Sequence, residues 1–244
     1  MATTAGPAMR WRTDRIFYTS LGAAIALTCF WGFARSYYLS RWFDPPPGTP
    51  EITALLAVHG AVFTAWLVFL VTQPLLIAGR QTRTHRKLGY AGAGIAAAMV
   101  LFGNIAAVAA MHQGFIGLGD PRIFYAVPFF AINSFAVAVA LAIYWRKRAE
   151  THKRLIMLSN VGIVGAAIAR LPVDAVQAGA PLTFIFLPNL ITLAGIAYDW
   201  RTRGRVHKVW VWGGLAMLLS QLAMLAVMGS GPWIAFAETM RGLW

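Results

Sequence analysis

Residues 52–78 read ITALLAVHGAVFTAWLVFLVTQPLLIA, an unbroken run whose single ionisable side chain is His59. The hydrocarbon core of a bilayer is about 30 Å thick, so a helix needs about 20 mostly apolar residues to cross it. This stretch is long enough to cross with tilt, and Pro74 predicts a kink near its end. Working outward, six more segments carry the same signal, near 16–38, 88–111, 123–145, 155–176, 181–199 and 209–229. In the segment near 155–176, the fifth in chain order, Arg170 and Asp174 interrupt the apolar run. The expectation is an all-α integral membrane protein, a bundle of about seven transmembrane helices forming a single domain over residues 1–244.

The composition agrees. The chain is 59% hydrophobic and 12% charged, with a mean hydropathy of +0.62. A soluble domain would carry about a quarter charged residues. The net charge of +13 would suggest nucleic acid in a soluble protein. Here the basic residues cluster between apolar runs, which points to anionic lipid instead and excludes nucleic acid as partner. The single cysteine, Cys29, excludes an intramolecular disulfide and a thiolate metal cluster. Arg10, Arg12 and Arg15 precede a first apolar run long enough to remain as a signal anchor.

Basic residues set the orientation. Arg10, Arg12 and Arg15 precede the first span, and Arg80, Arg83, Arg86 and Lys87 lie between the second and third. Arg146, Lys147, Arg148, Lys153 and Arg154 lie between the fourth and fifth, and Arg201, Arg203, Arg205 and Lys208 between the sixth and seventh. The opposite side holds only Arg35, Arg41, Arg122 and Arg241. The expected topology is therefore a cytoplasmic N-terminus and an external C-terminus, in a multi-pass protein of a bacterial inner membrane. The loop at 44–48, with three prolines and a glycine, reads as an ordered turn. The tail 232–244, with Trp233, Ile234, Phe236, Met240 and Trp244 among polar residues, reads as an interfacial helix or a docking helix for a partner. Seven spans invite comparison with retinal proteins, but Val209–Gly229 has no lysine for a Schiff base.

One motif repeats. Thr84-His85-Arg86-Lys87-Leu88 opens the third span, Thr151-His152-Lys153-Arg154-Leu155 the fifth, and Val206-His207-Lys208-Val209 the seventh. All three histidines fall at one membrane depth. A helix N-terminus and flanking basic residues both disfavour imidazolium. Neutral imidazole is the metal-ligating form. His85, His152 and His207 with Asp199 are therefore candidate ligands for Zn, Fe or Cu. The alternative is that each motif caps its helix and holds an anionic headgroup or a haem propionate. His59 lies two turns into the second span, where an ionisable group needs a partner. His59 and His112 are candidate ligands of a haem b in the outer leaflet, the alternative being hydrogen-bonded core histidines. Gln73, Asn104, Asn133, Asn160, Asn189 and Gln221 lie at membrane depth and are expected to bond between helices. Arg170 and Asp174, spaced i,i+4, are expected to pair or to mark a substrate or proton route.

His59-Gly60, Gln73, His85-Arg86-Lys87-Leu88-Gly89, His152-Lys153-Arg154-Leu155 and Tyr198-Asp199 with Gly204-Arg205-Val206-His207 together resemble a family of bacterial multi-span membrane proteins to which no activity is assigned. The histidine-basic-Leu-Gly element is also similar to motifs of cytochrome b561-like and ferric-reductase-like membrane proteins. Here the basic-side histidines sit at helix ends rather than deep in a bundle, where a two-haem wire would need them. The histidine and Asp199 arrangement points to a redox-linked metal or haem protein, and an oxidoreductase acting on a quinone-like or lipophilic substrate would suit it. Two other classes stay open: an accessory subunit bound to other membrane subunits, and a small-solute transporter. The only repeat keeps one orientation, unlike inverted-repeat transporters.

Overall fold

The computed structural model describes residues 7–46, 49–113 and 119–243. Their regular structure is helical. The main helices are α1 (Pro7–Gly32), α2 (Ala54–Ala78), α3 (Thr82–His112), α4 (Pro121–Phe124), α5 (Ala126–Tyr144) and α6 (Ala149–Ile168). They continue with α7 (Asp174–Ala178), α8 (Leu182–Phe186), α9 (Leu190–Arg203), α10 (Gly214–Val227) and α11 (Gly231–Arg241). Among the described residues, five stretches are long and apolar enough to cross a bilayer: Ala54–Ala78, Thr82–His112, Pro121–Tyr144, Leu182–Arg203 and Val209–Val227. Large apolar side chains face outward along them, among them Val68, Leu101, Val137, Leu190 and Leu219. Such a surface calls for lipid rather than water.

The expected first and fifth spans take a different form. α1 ends at Gly32 and passes into a π-helical turn at Ala34–Tyr38, short of the expected residue 38. α6 opens on a charged turn and stops at Ile168, and the chain then turns through Pro172 into the separate α7. α6 nevertheless forms the middle of the bundle. Leu158, Val161 and Ala167 are fully buried, and so are the polar Arg154, Ser159 and Asn160. α1, α5 and α9 surround it, together with a π-helical turn at Val209–Gly213. An encased helix needs complementary neighbours more than uniform apolarity, which explains its charged first turn.

Close approaches set the packing. Pro74 cannot donate to the carbonyl of Leu70, and Gly22 of α1 approaches that oxygen, where a Cβ would lie 3.0 Å away. At Gly32 a Cβ would fall 2.2 Å from the Ala167 carbonyl. α11 docks on its own chain rather than lying free. Trp233 is buried among Tyr125, Phe129 and Phe130, and its indole N–H donates to the Arg122 carbonyl at 2.9 Å. The loop at 44–46 is tied by Arg35, whose guanidinium donates to the Asp44 carbonyl. Pro47, Gly48 and Trp244 lie outside the described residues.

Candidate functional site

Helix periodicity prepares the basic end of the bundle. Glu150 precedes Lys153 and Arg154 by three and four residues, and Asp199 precedes Arg203 by four, so each set shares one face. Packing joins these faces to Asp14 of α1. Arg154 and Asp199, both with fully buried side chains, form a bidentate pair. Nη2 donates to Oδ1 at 2.6 Å and Nε to Oδ2 at 3.0 Å. The Arg154 Nη1 group donates to the carbonyl and carboxylate of Glu150, each at 2.7 Å. Arg203 reaches both Asp14 oxygens at 2.6 and 2.8 Å and Asp199 Oδ1 at 3.0 Å. Lys153 bridges Asp14 and Glu150, and the Tyr198 hydroxyl donates to Asp14. Among the described residues the network balances Lys153, Arg154 and Arg203 against Asp14, Glu150 and Asp199. Burial pushes the Asp14 carboxyl up, but hydrogen bonds from Lys153, Tyr198 and Arg203 hold it below its ordinary value. Glu150 is held low by Lys153 and Arg154 against the same opposing burial.

This network absorbs two of the expected metal ligands. The His207 backbone N–H donates to Asp199 Oδ2 at 3.1 Å, so the carboxylate accepts four hydrogen bonds. That matches the roughly four lone-pair positions of a carboxylate. The His207 ring turns to its own helix, where Nδ1 accepts from the Val209 N–H at 3.2 Å. Burial and the nearby Arg154 charge hold this ring below its ordinary pKa.

His85 and His152 form a separate pair. Their ring centroids lie 6.4 Å apart with planes nearly perpendicular. His152 Nδ1 donates to the Ala142 carbonyl of α5 at 2.9 Å, which leaves Nε2 as the free nitrogen. His85 Nδ1 is buried with no hydrogen-bond partner, and the Gln73 backbone lies against its ring. The amide oxygen and nitrogen of Gln73 are both buried and unpartnered as well. The other amides expected at membrane depth all bond between helices. Trp66 Nε1 donates to Asn160 at 3.0 Å, Asn133 to Asn104 at 3.3 Å, and Asn189 to Gln221 at 2.8 Å. Gln73 is the exception, and it lies beside the histidine pair. By sequence position Gln73 belongs with the interhelical amides; its lack of a partner is visible only in the tertiary structure.

On the opposite side, His59 stacks on Phe63 with centroids 4.1 Å apart, and its Nδ1 is buried without a partner. The Phe102 backbone and the Arg170 charge both reach this ring. His112 lies elsewhere, with Nε2 3.0 Å from the Arg241 carbonyl. Phe102 and His112 are ten residues apart on α3, about 15 Å along its axis. The structure therefore does not bring His59 and His112 face to face. Arg170 donates to the Ala166 carbonyl at 2.7 Å and lies over the Phe33 ring rather than pairing with Asp174. The i,i+4 argument needs a continuous helix, but α6 ends at Ile168, before Arg170, and Asp174 opens the separate α7.

Among the described residues, no group of three or more His, Cys, Asp or Glu side chains is gathered to hold a metal ion. No family model matches the chain, and no curated protein or solved structure does so either.

Proposed function

We propose that this chain is a seven-span protein of a bacterial inner membrane, with its basic loops in the cytoplasm, and that it is redox-linked. His85, His152 and Gln73 take the polar head of a quinone-like lipophilic compound. The observation that carries this reading is that the Gln73 backbone lies against the His85 ring, while His85 Nδ1 and both Gln73 amide atoms are buried without a protein partner. Buried polar atoms are normally hydrogen-bonded, and exceptions call for a ligand or ordered water. A quinone carbonyl is an acceptor that suits the Gln73 amide N–H, and the hydroxyl of its reduced form is a donor that suits an unprotonated imidazole nitrogen. Its apolar body suits the surrounding membrane depth. α1 and α6 supply the two spans beyond the five that qualify by apolarity alone.

A metal or haem iron at the same pair is the second reading, and His152 favours it. Its Nδ1–H is anchored on a backbone carbonyl, the arrangement that orients ligating histidines. Two imidazoles fall short of the three or four protein ligands of zinc sites, so the pair fits a metal with open positions better than structural zinc. Such an ion would supply Lewis-acid or electron-transfer chemistry, while His85 and His152 would hold it.

The test is purification in neutral detergent with a visible spectrum, metal analysis and quinone extraction. Bound quinone that falls away in Gln73→Leu and His85→Leu supports the first reading. A Soret band or stoichiometric metal lost in His152→Ala supports the second. Protein that is colourless, metal-free and unable to bind a quinone analogue sinks both.

A further inference from the structure

A second set of groups without partners lies on the outside of the same membrane face. A groove between α1 and the end of α2 is lined by Arg12, Arg15, Ile16, Thr19, Ser20 and Ala78. Thr19 is one of these lining residues, and its hydroxyl is buried and has no hydrogen-bond partner. Beside the groove, Arg15 and Arg80 both stack on the Trp11 indole, with guanidinium carbons 4.2 and 5.0 Å from the ring centre. Among the described residues, no carboxylate lies within ion-pair range of Arg12, Arg15 or Arg80. Asp14, the acid nearest in sequence, points inward to Lys153 and Arg203. Two guanidiniums on one ring repel each other unless an anion lies nearby.

The backbone gives independent support. Arg80 has φ +61°, the left-handed region. It closes α2 with Gln81 N–H donating to the Leu76 carbonyl at 2.8 Å and Gly79 N–H to Leu75 at 2.8 Å. Glycine is the usual residue at this position, because a Cβ there is strained. An arginine held in such a conformation, with its side chain reaching α1, indicates a use for the guanidinium.

We propose that Arg12, Arg15 and Arg80, with the Thr19 hydroxyl, bind the phosphate headgroup of an anionic phospholipid at the basic membrane face. The phosphate takes charge-assisted hydrogen bonds from the guanidiniums and a hydrogen bond from Thr19. A lipid suits the groove better than soluble phosphate, because Ile16 and Ala78 line it and Ile16 is largely exposed, giving an acyl chain an apolar track.

Native mass spectrometry in neutral detergent tests this with equimolar phosphatidylglycerol and phosphatidylcholine. The wild-type protein should retain phosphatidylglycerol selectively. Arg80→Gly should weaken that retention by about fivefold, the effect of one basic residue near an anionic surface. Its thermal midpoint should hold or rise, because glycine adopts the left-handed turn freely. Arg15→Gln reads the same loss if Arg80→Gly fails to fold. Lys147→Gln, an exposed charge elsewhere on this face, should leave retention unchanged. Wild-type retention in both arginine variants overturns the site, as does an equal loss in Lys147→Gln. Inorganic phosphate binding as tightly as the lipid overturns the assignment to a phospholipid.

Discussion

The guanidinium of Arg154 grips both carboxylate oxygens of Asp199, and neither side chain is exposed. The pair ties the central helix α6 to α9 at the basic end of the bundle. Breaking a buried pair from one side strands a charge and costs about 3–5 kcal/mol, whereas replacing both partners with apolar residues is often neutral. Asp199→Leu and Arg154→Met should each lower the thermal midpoint strongly in detergent. The double variant should recover most of the loss. Additive losses in a double-mutant cycle would show that the pair does not act as a unit.

Acid should loosen the same network. Asp14 and Glu150 titrate below their ordinary values in the folded protein. Groups with depressed folded values contribute stability above their unfolded values, and lose it as pH falls through the folded ones. Unfolded carboxyls titrate at about 4, so the contribution is complete near neutrality and fades below about pH 4. Thermal midpoints measured from pH 7 to pH 3 should fall at the acid end, and Asp14→Asn should flatten that fall. An equally steep fall in the variant would remove Asp14 as a cause.

Gln73→Leu separates stability from ligand binding. An unsatisfied buried polar group costs about 1–3 kcal/mol. Removing it should leave the ligand-free protein as stable as wild type or more so. Binding of a quinone analogue, followed by calorimetry, should weaken in parallel. A destabilised variant would mean that the Gln73 amide already has a partner in the bundle.

Gly32 is a packing point between α1 and α6. A methyl group there meets the Ala167 backbone, and overpacking of this kind costs about 1–3 kcal/mol. Gly32→Ala should lower the thermal midpoint, while Gly89→Ala, where a Cβ would meet nothing, should not. Equal midpoints for the two variants would show that the helices separate freely at this contact.

Topology is testable with the single native cysteine, which is buried. Cys introduced by Lys147→Cys should react with a membrane-impermeant thiol reagent only after the inner leaflet is exposed. Asp44→Cys should react from outside intact cells. Labelling of both from one side would overturn the seven-span reading.

The membrane class was legible from local sequence, because apolar run length is a one-dimensional quantity. The two Thr-His-basic-basic-Leu repeats and the looser Val-His-Lys-Val likewise placed three histidines at helix starts from residue order alone. Their partners were not legible. Side-chain direction around a helix and the neighbour it meets depend on packing, so His85 and His152 came together while His207 turned to its own helix. The same cause took Asp199 into an ion network with Arg154, one of the basic residues that mark the turn before the fifth span in the sequence. It also left Gln73 without the interhelical partner that five similar amides found. Even the end of α6 before Asp174, which undid the expected pairing with Arg170, reflects a turn that spacing does not reveal. Residue order thus set which groups are expected to share a level along the helices. Tertiary packing decided which of them are satisfied, and the unsatisfied ones define the candidate sites.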